Sequence, residues 1–231
     1  MQTLNEFVYE KMKLSKLPKL SMLNGFTFDD LSTATQRKFL NRTFRVVVLD
    51  EKTTPDVRQD LFNRINTSGV KASDSEIRRG SYPGKLTTFI EECCKDELFV
   101  KLCPISKSKA IRQERFELVL RFFAYLYNYK CFEHEVNSFL NKFLADNLNS
   151  FDEEKYKRDF QRMLVFVKDN FAFGFAKTKN ATTTPRVRFE AISVGVALAL
   201  QERPDLKVSN VDWIDSEEFQ EQTTSDASNN E

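Results

Sequence analysis

Apolar residues recur every three or four positions along most of this chain, and this periodicity limits its fold more than any other feature. The clearest case is residues 152–177, where one set of apolar residues follows helical spacing: Tyr156, Phe160, Met163, Leu164, Val167 and Phe171. Such spacing, repeated in residues 111–129, 136–148 and 187–200, places side chains on one face of an α-helix. With 22 phenylalanines in 231 residues, these faces supply enough apolar surface for a core. The sequence therefore predicts a mainly α fold, built as a helical bundle.

One segment departs from the helical pattern. Residues 43–50 read TFRVVVLD, and the run from Val46 to Leu49 is continuously apolar rather than alternating. A short β-branched run of this kind is typical of a strand that is covered on both faces. We therefore expect a small β element beside the helical bundle.

Charge and cysteine usage exclude some classes of partner. The 35 basic and 34 acidic residues leave a net charge of +1, which gives no general attraction to nucleic acid or to anionic membranes. No apolar run approaches the ~18 residues that span a bilayer, so we expect no membrane partner. The four cysteines have no C-x-x-C spacing and no histidine partners, a pattern typical of reduced thiols in a cytoplasmic protein.

The sequence offers no catalytic set, no metal site and no cofactor of its own. Its one histidine, His134, lies between two glutamates in FEHEV. A single histidine excludes three-histidine zinc sites and H-E-x-x-H metalloproteases. The six glycines form neither a P-loop nor a G-x-G-x-x-G turn, so no glycine-rich phosphate loop is present.

A basic stretch runs over residues 103–115, CPISKSKAIRQER. It contains four cations and one acid, Glu114. The four cations are candidates for contact with DNA phosphates: Lys107, Lys109, Arg112 and Arg115. A solvated loop that leads into a helix accounts for the same pattern, and the residues leave both interpretations open.

Residues 61–84, LFNRINTSGVKASDSEIRRGSYPG, break the helical periodicity more sharply. Gly69 can supply the positive φ that ends one helix. Ser73, followed three residues later by Glu76, predicts a capping box at the start of the next helix. The pair Pro83–Gly84 then separates that helix from the following one.

The same segment contains a candidate anion site. Arg64 and Asn66 lie two positions apart near a helix end and can face the same turn. Thr67 and Ser68 add hydroxyl groups, and Gly69 lets backbone amides face inward. Such a hollow suits a phosphate. The alternative is a plain joint between helices, in which Asn66 caps a helix and Arg64 lies at the surface.

This segment resembles the hallmark of the GmrSD-type restriction endonuclease N-terminal domain family, F-x-R-[IVL]-N-x-x-G-x-x-L-[ST]-x-x-E-[IL]-R-x-x-x-Y-x-G. Ala72 stands where the family usually has leucine. Eleven positions match with preserved spacing: Phe62, Arg64, Ile65, Asn66, Gly69, Ser73, Glu76, Ile77, Arg78, Tyr82 and Gly84. The resemblance implies that Arg64, Asn66, Thr67, Ser68 and Gly69 bind nucleotide phosphate. It gives Glu76 and Arg78 a supporting role. They either form an ion pair that supports the turn, or contact the phosphate-binding residues without contacting the phosphate.

The resemblance also implies a fold related to ParB and sulfiredoxin, of which this chain is a fragment. Family members carry a D-G-x-Q-R-[LM]-x-T-L motif, and residues 1–4 resemble only its end. They also continue into a basic C-terminal helix. We therefore expect a partial ParB/sulfiredoxin-like part with the F-x-R-x-N turn in residues 1–84, a helical bundle in 85–212 and an acidic polar tail in 213–231.

The function implied by the resemblance is defence against modified foreign DNA. The complete domain would bind and hydrolyse a nucleoside triphosphate with Mg²⁺, respond to DNA and control a nuclease subunit. No nuclease module is recognisable here, so we expect no activity from this chain alone. The alternative is a non-enzymatic protein–protein interaction module, or an inactive truncated remnant. Such a module would expose apolar surface around Leu4, Phe7 and the strand 43–50, and would bind a partner, the missing N-terminal part or a second copy.

Overall fold

The computed structural model describes residues 2–43, 48, 53–54, 57–58, 60–61, 72–133 and 135–223. The chain divides into two compact units, residues 1–50 and 51–231. The predicted mainly α fold is confirmed. No strand occurs among the described residues, and of the predicted strand at 43–50 only Thr43 and Val48 are described. The small β element is therefore not seen.

The first unit contains helix α1 (Gln2–Tyr9), a 3-10 segment (Pro18–Leu23) and helix α2 (Thr33–Leu40). The rings of Phe7, Phe28 and Phe39 meet edge to face, with centroids 5.5 to 5.8 Å apart. Phe7 is 4% exposed as a result. The expectation that Phe7 lies on uncovered apolar surface is therefore wrong, because two other rings of the same unit enclose it.

From Asp74 onward, the described residues of the second unit form eight helices of the bundle and then a ninth, short helix. In chain order the eight are α3 (Asp74–Ser81), α4 (Lys85–Cys93), α5 (Glu97–Leu102), α6 (Lys107–Ile111), α7 (Glu114–Asn128), α8 (Val136–Asn147), α9 (Glu153–Asn170) and α10 (Arg186–Glu202). A 3-10 turn (Tyr129–Cys131) follows α7, and a second one (Asp212–Asp215) precedes α11 (Glu217–Gln222). The helix α11 falls within the stretch expected only to be an acidic polar tail.

Helix α7 forms the centre of the bundle. It is apolar on more than one side, and it contacts α3, α4, α6, α8 and α10. Its Phe122 and Phe123 pack with Phe160 of α9, with ring centroids 5.7 and 5.8 Å from that ring. The pairs α9–α10 and α5–α9 complete the bundle. Among the described helices, none is both long and apolar enough to cross a membrane.

Candidate functional site

The predicted anion hollow lies outside the part of the chain that the structure describes. This applies to all five of its residues: Arg64, Asn66, Thr67, Ser68 and Gly69. Their role in binding phosphate stays a prediction. The structure does describe the residues that follow the turn, from Ala72 onward, and these include the second half of the family motif.

Helix α3 begins with the predicted capping box. The backbone N–H of Ser73 donates to Glu76 Oε2 at 2.6 Å, and the N–H of Glu76 donates to Ser73 Oγ at 3.3 Å. The start of α3 is also joined to the segment before α7. Ser73 Oγ donates to the carbonyl of Arg112, and Ser75 Oγ donates to that of Gln113, both at 3.0 Å. These bonds fix the first turn of α3 against the bundle.

Glu76 and Arg78 each pair with another residue rather than with one another. The carboxylate of Glu76 lies 3.2 Å from Arg112 Nε at the surface. Arg78 points inward, is 1% exposed, and donates through Nη2 to both carboxylate oxygens of Glu117 at 2.9 Å. The two residues thus contact other parts of the bundle and do not form the expected mutual ion pair, and their supporting role at the phosphate site stays a prediction.

The Arg78–Glu117 pair belongs to a chain of buried charges. Arg121 Nε donates to Glu117 at 3.0 Å, and Arg121 Nη1 donates to Glu190 of α10 at 2.9 Å. We call Arg78, Glu117, Arg121 and Glu190 the Arg78 network. Burial alone raises the pKa of Glu117, but the charges and hydrogen bonds of the two guanidiniums outweigh burial and hold that pKa below its ordinary value. Glu117 therefore stays ionised at neutral pH.

The side-chain amides of α8 complete the environment of Arg78. Its Nη1 donates to Asn137 Oδ1 at 3.1 Å and to Asn141 Oδ1 at 3.3 Å. Its Nε is buried without a hydrogen-bond partner among the described residues. Because buried ion pairs are stable only when most of their polar atoms are satisfied, the amides are part of what keeps this guanidinium in the core.

The four cations of the basic stretch have different surroundings. Lys107 and Lys109 are exposed on α6. Arg112 pairs with Glu76, and Arg115 lines a pocket with its Nε buried and without a partner among the described residues. The contact of all four with DNA stays a prediction, and Arg115 is the one placed within a recess.

That recess is a pocket of about 240 Å³ between α3, α4, α6 and α7. We call it the Arg115 pocket; its charged lining residues are Arg79, Glu91, Lys95 and Arg115. Arg79 Nε pairs with Glu91. A second recess of about 430 Å³ shares Arg79 and Glu91 with it.

A larger recess lies elsewhere, between α9 and the end of α10. It measures about 600 Å³ and contains none of the residues that the sequence singled out. Arg162, its one arginine, donates to the carbonyls of Leu200 and Pro204 at 3.4 and 2.8 Å. We regard the smaller Arg115 pocket as the better candidate site, because it contains Arg115, one of the residues that the sequence singled out, and the Nε of that residue has no hydrogen-bond partner among the described residues.

Three of the four cysteines, Cys93, Cys94 and Cys103, are not activated as nucleophiles in this structure. Burial raises the pKa of both Cys93 and Cys103 to about 12, and it raises the pKa of Cys94 as well. These thiols are therefore protonated at neutral pH. Cys131 is exposed, and none of the four is in a disulfide. Within the described residues, no group of three or more His, Cys, Asp or Glu side chains could hold a metal ion.

Sequence reasoning missed two features. Glu117 and Arg121 are four positions apart and are the two charged residues in the stretch 116–127 of α7, so their burial could have been inferred from the composition of that stretch. Arg79 and Lys95 gave no local signal, because they approach Arg115 only through packing. No protein-family model, no curated protein and no solved structure matches this chain.

Proposed function

We propose that this chain is a partial nucleotide- and DNA-responsive regulatory domain of a GmrSD-like defence system, without a nuclease of its own. It retains the F-x-R-x-N turn of a ParB/sulfiredoxin-like part, including the short strand, beside the helical bundle. A nucleoside triphosphate with Mg²⁺ binds at Arg64, Asn66 and the residues up to Gly69 in the complete domain. The domain acts in the cytoplasm on a nuclease subunit.

The observation that carries this proposal is the buried pair of Arg78 with Glu117. The motif arginine is connected through Glu117 and Arg121 to Glu190, so one run of charges joins α3, α7 and α10. Helix α3 begins at Asp74, five positions after Gly69, the last residue of the predicted turn. A ligand that shifts the turn would therefore act on a helix coupled to the centre of the bundle, which is the arrangement that a regulatory domain requires.

Calorimetric titration with Mg²⁺–GTP and Mg²⁺–ATP tests the nucleotide role. The variants are Arg64→Ala and, as a matched control, Arg37→Ala, which removes an arginine of α2 in the first unit. Loss of a charge-assisted contact costs about 1.5–3 kcal/mol, so we expect Arg64→Ala to weaken binding roughly 10- to 150-fold. Equal, very weak heats from the wild type and Arg64→Ala would remove the nucleotide role.

The chain alone should not cut DNA. Glucosylated and unmodified DNA should both stay intact when incubated with the purified protein and Mg²⁺. Cleavage that co-purifies with the protein through successive columns would contradict this part of the proposal.

An interaction module is the second candidate, and one observation favours it. Large apolar side chains of the first unit are strongly exposed, with Tyr9 79% and Met22 80% accessible. Where exposed apolar side chains form a contiguous patch, a partner or a second copy often covers them. Size-exclusion chromatography with light scattering, on the wild type and on the double variant Tyr9→Ser and Met22→Ser, measures the oligomeric state and tests this function. A monomer at all concentrations, with no retained protein partner, would count against this function.

A further inference from the structure

The Arg115 pocket brings together cations from three parts of the second unit. Arg79 comes from α3, Lys95 from the turn after α4, and Arg115 from the first turn of α7. No short sequence motif brings these residues together, and no DNA-contact pattern in the sequence includes Arg79 or Lys95. Three cations on the wall of one small recess repel one another unless negative charge offsets them.

The carboxylates near the pocket do not offset all of this charge. Glu91 pairs with Arg79. Among the described residues, neither Lys95 nor Arg115 has an ion-pair partner, and Arg115 Nε is both buried and without a hydrogen bond. Glu114, next to Arg115 in the chain, is bound by Arg186 through two hydrogen bonds of 2.7 and 2.8 Å.

The remaining lining adds no negative charge. Cys94 lies on the wall, and because burial raises its pKa, its thiol is neutral. Phe116 and Ala110 are apolar. Gln113 precedes α7 with a left-handed φ of 62°, and its side chain does not cap the helix. The N-terminal turn of the fifteen-residue helix α7 borders the same recess through Arg115 and Phe116.

We propose that the Arg115 pocket binds a terminal phosphate group, with Lys95 and Arg115 as its charged contacts. The pocket, about 240 Å³, is smaller than the 300–1,000 Å³ typical of drug-sized ligands, so it suits a small anionic group. A terminal phosphate can enter a recess, whereas a DNA phosphodiester carries a sugar on both sides. This inference is independent of the proposed nucleotide site at Arg64, and either site can exist without the other.

Calorimetric titration of the full chain with pyrophosphate, in chloride buffer of constant ionic strength, tests the proposal. We expect binding by the wild type and a loss of about tenfold or more in affinity for Arg115→Gln and for Lys95→Gln. The matched control is Lys101→Gln, an exposed lysine of α5 outside the pocket, whose affinity should stay within about twofold of wild type.

Two further arms distinguish the Arg115 pocket from the Arg64 turn and from surface contact with a DNA backbone. Arg64→Ala should keep full pyrophosphate binding, so failure of the proposed nucleotide site leaves this result standing. Single-stranded DNA without terminal phosphates should not compete with pyrophosphate. Circular dichroism establishes that each variant is folded before titration.

Three outcomes would overturn the proposal. The first is that the wild type gives no heat beyond the chloride blank. The second is that Arg115→Gln and Lys95→Gln, both folded, bind pyrophosphate as tightly as Lys101→Gln does. The third is that phosphate-free DNA ends compete as strongly as pyrophosphate itself, which would mean surface contact with a backbone rather than a pocket for a terminal phosphate.

Discussion

Substitution of Arg78 by methionine removes the buried guanidinium that fixes α3 to the bundle. Glu117 then keeps only Arg121, which also binds Glu190. Asn137 and Asn141 are partly exposed and can bond to water instead, so most of the cost arises at Glu117. Breaking a buried pair by removing one partner costs about 3–5 kcal/mol, because a charge is left behind without compensation.

The neighbouring arginine provides the matched control. Arg79 has the same chemistry one position later, but its side chain is 44% exposed and its partner Glu91 lies at the surface. Exposed pairs contribute about 0–1 kcal/mol, so we expect Arg79→Met to have little effect. The difference between the two variants then measures burial rather than the loss of an arginine.

Urea denaturation measures both variants. The only tryptophan, Trp213, lies in the second unit with its ring 6.1 Å from that of Phe171, so its fluorescence reports on that unit. We expect the free energy of unfolding to fall by about 3–5 kcal/mol for Arg78→Met. With a shift of roughly 2–4 °C for each kcal/mol, the Tm should fall by about 6–20 °C. If Arg78→Met and Arg79→Met lie within experimental error of each other, the account of the Arg78 network is wrong.

The loss of stability caused by Arg78→Met should be larger at neutral pH than at acidic pH. In the wild type the pKa of Glu117 is below its ordinary value, so its contribution to stability is present above the ordinary pKa and is lost as the pH falls through the folded value. Without Arg78, that pKa rises and protonation of Glu117 costs less. The gap in stability between wild type and Arg78→Met should therefore be larger at neutral pH than at pH values near the ordinary pKa of a glutamate. A gap that widens on acidification would contradict this reasoning.

Three other substitutions and one labelling reaction have outcomes set by local geometry. Gly174 has a φ of 57°, and a Cβ there would lie 2.6 Å from the carbonyl oxygen of Leu102, so Gly174→Ala should destabilise by about 2 kcal/mol or more in urea titration. Gly195 is inside α10 with no atom within 4 Å of the Cβ position, so Gly195→Ala should stabilise by about 0.5–1 kcal/mol, and a loss would contradict this. Ser73→Ala removes the capping box and should cost about 1 kcal/mol in the same assay, unlike an exposed serine elsewhere. Ellman's reagent at neutral pH should label Cys131 rapidly, with Cys93 and Cys103 reacting only after unfolding; peptide mass mapping checks this.

The sequence predicts well those features that depend on helical spacing within a few positions of the chain. The face of α9 that contains Phe160 and Leu164 is buried, and the capping box of α3 forms as the Ser73–Glu76 spacing indicates. Both follow from interactions within a few positions of the chain, where helical geometry fixes which side chains meet. Such predictions need no knowledge of the tertiary structure.

Ion pairs between residues that are far apart in the chain could not be predicted from the sequence. Arg78 and Glu117 are 39 positions apart, and Arg121 and Glu190 are 69 apart. Periodicity assigns charged residues to solvent, yet Arg78, Glu117 and Arg121 are buried and form ion pairs within the bundle. The partner of Arg78 depends on how α3 packs against α7, and no local rule gives that packing.

Arg78 and Arg79 connect the two functional hypotheses through one helix. Successive residues of a helix point about 100° apart, so α3 holds Arg78 in the core and presents Arg79 to the Arg115 pocket. Loosening the Arg78 network should therefore weaken pyrophosphate binding severalfold although no pocket residue changes. Glu117→Gln keeps the shape of the side chain but removes its charge. The pyrophosphate affinity of this variant, measured at a temperature well below its unfolding midpoint, tests this expectation. An affinity equal to that of wild type would mean that the pocket and the network are independent, and that α3 does not couple them.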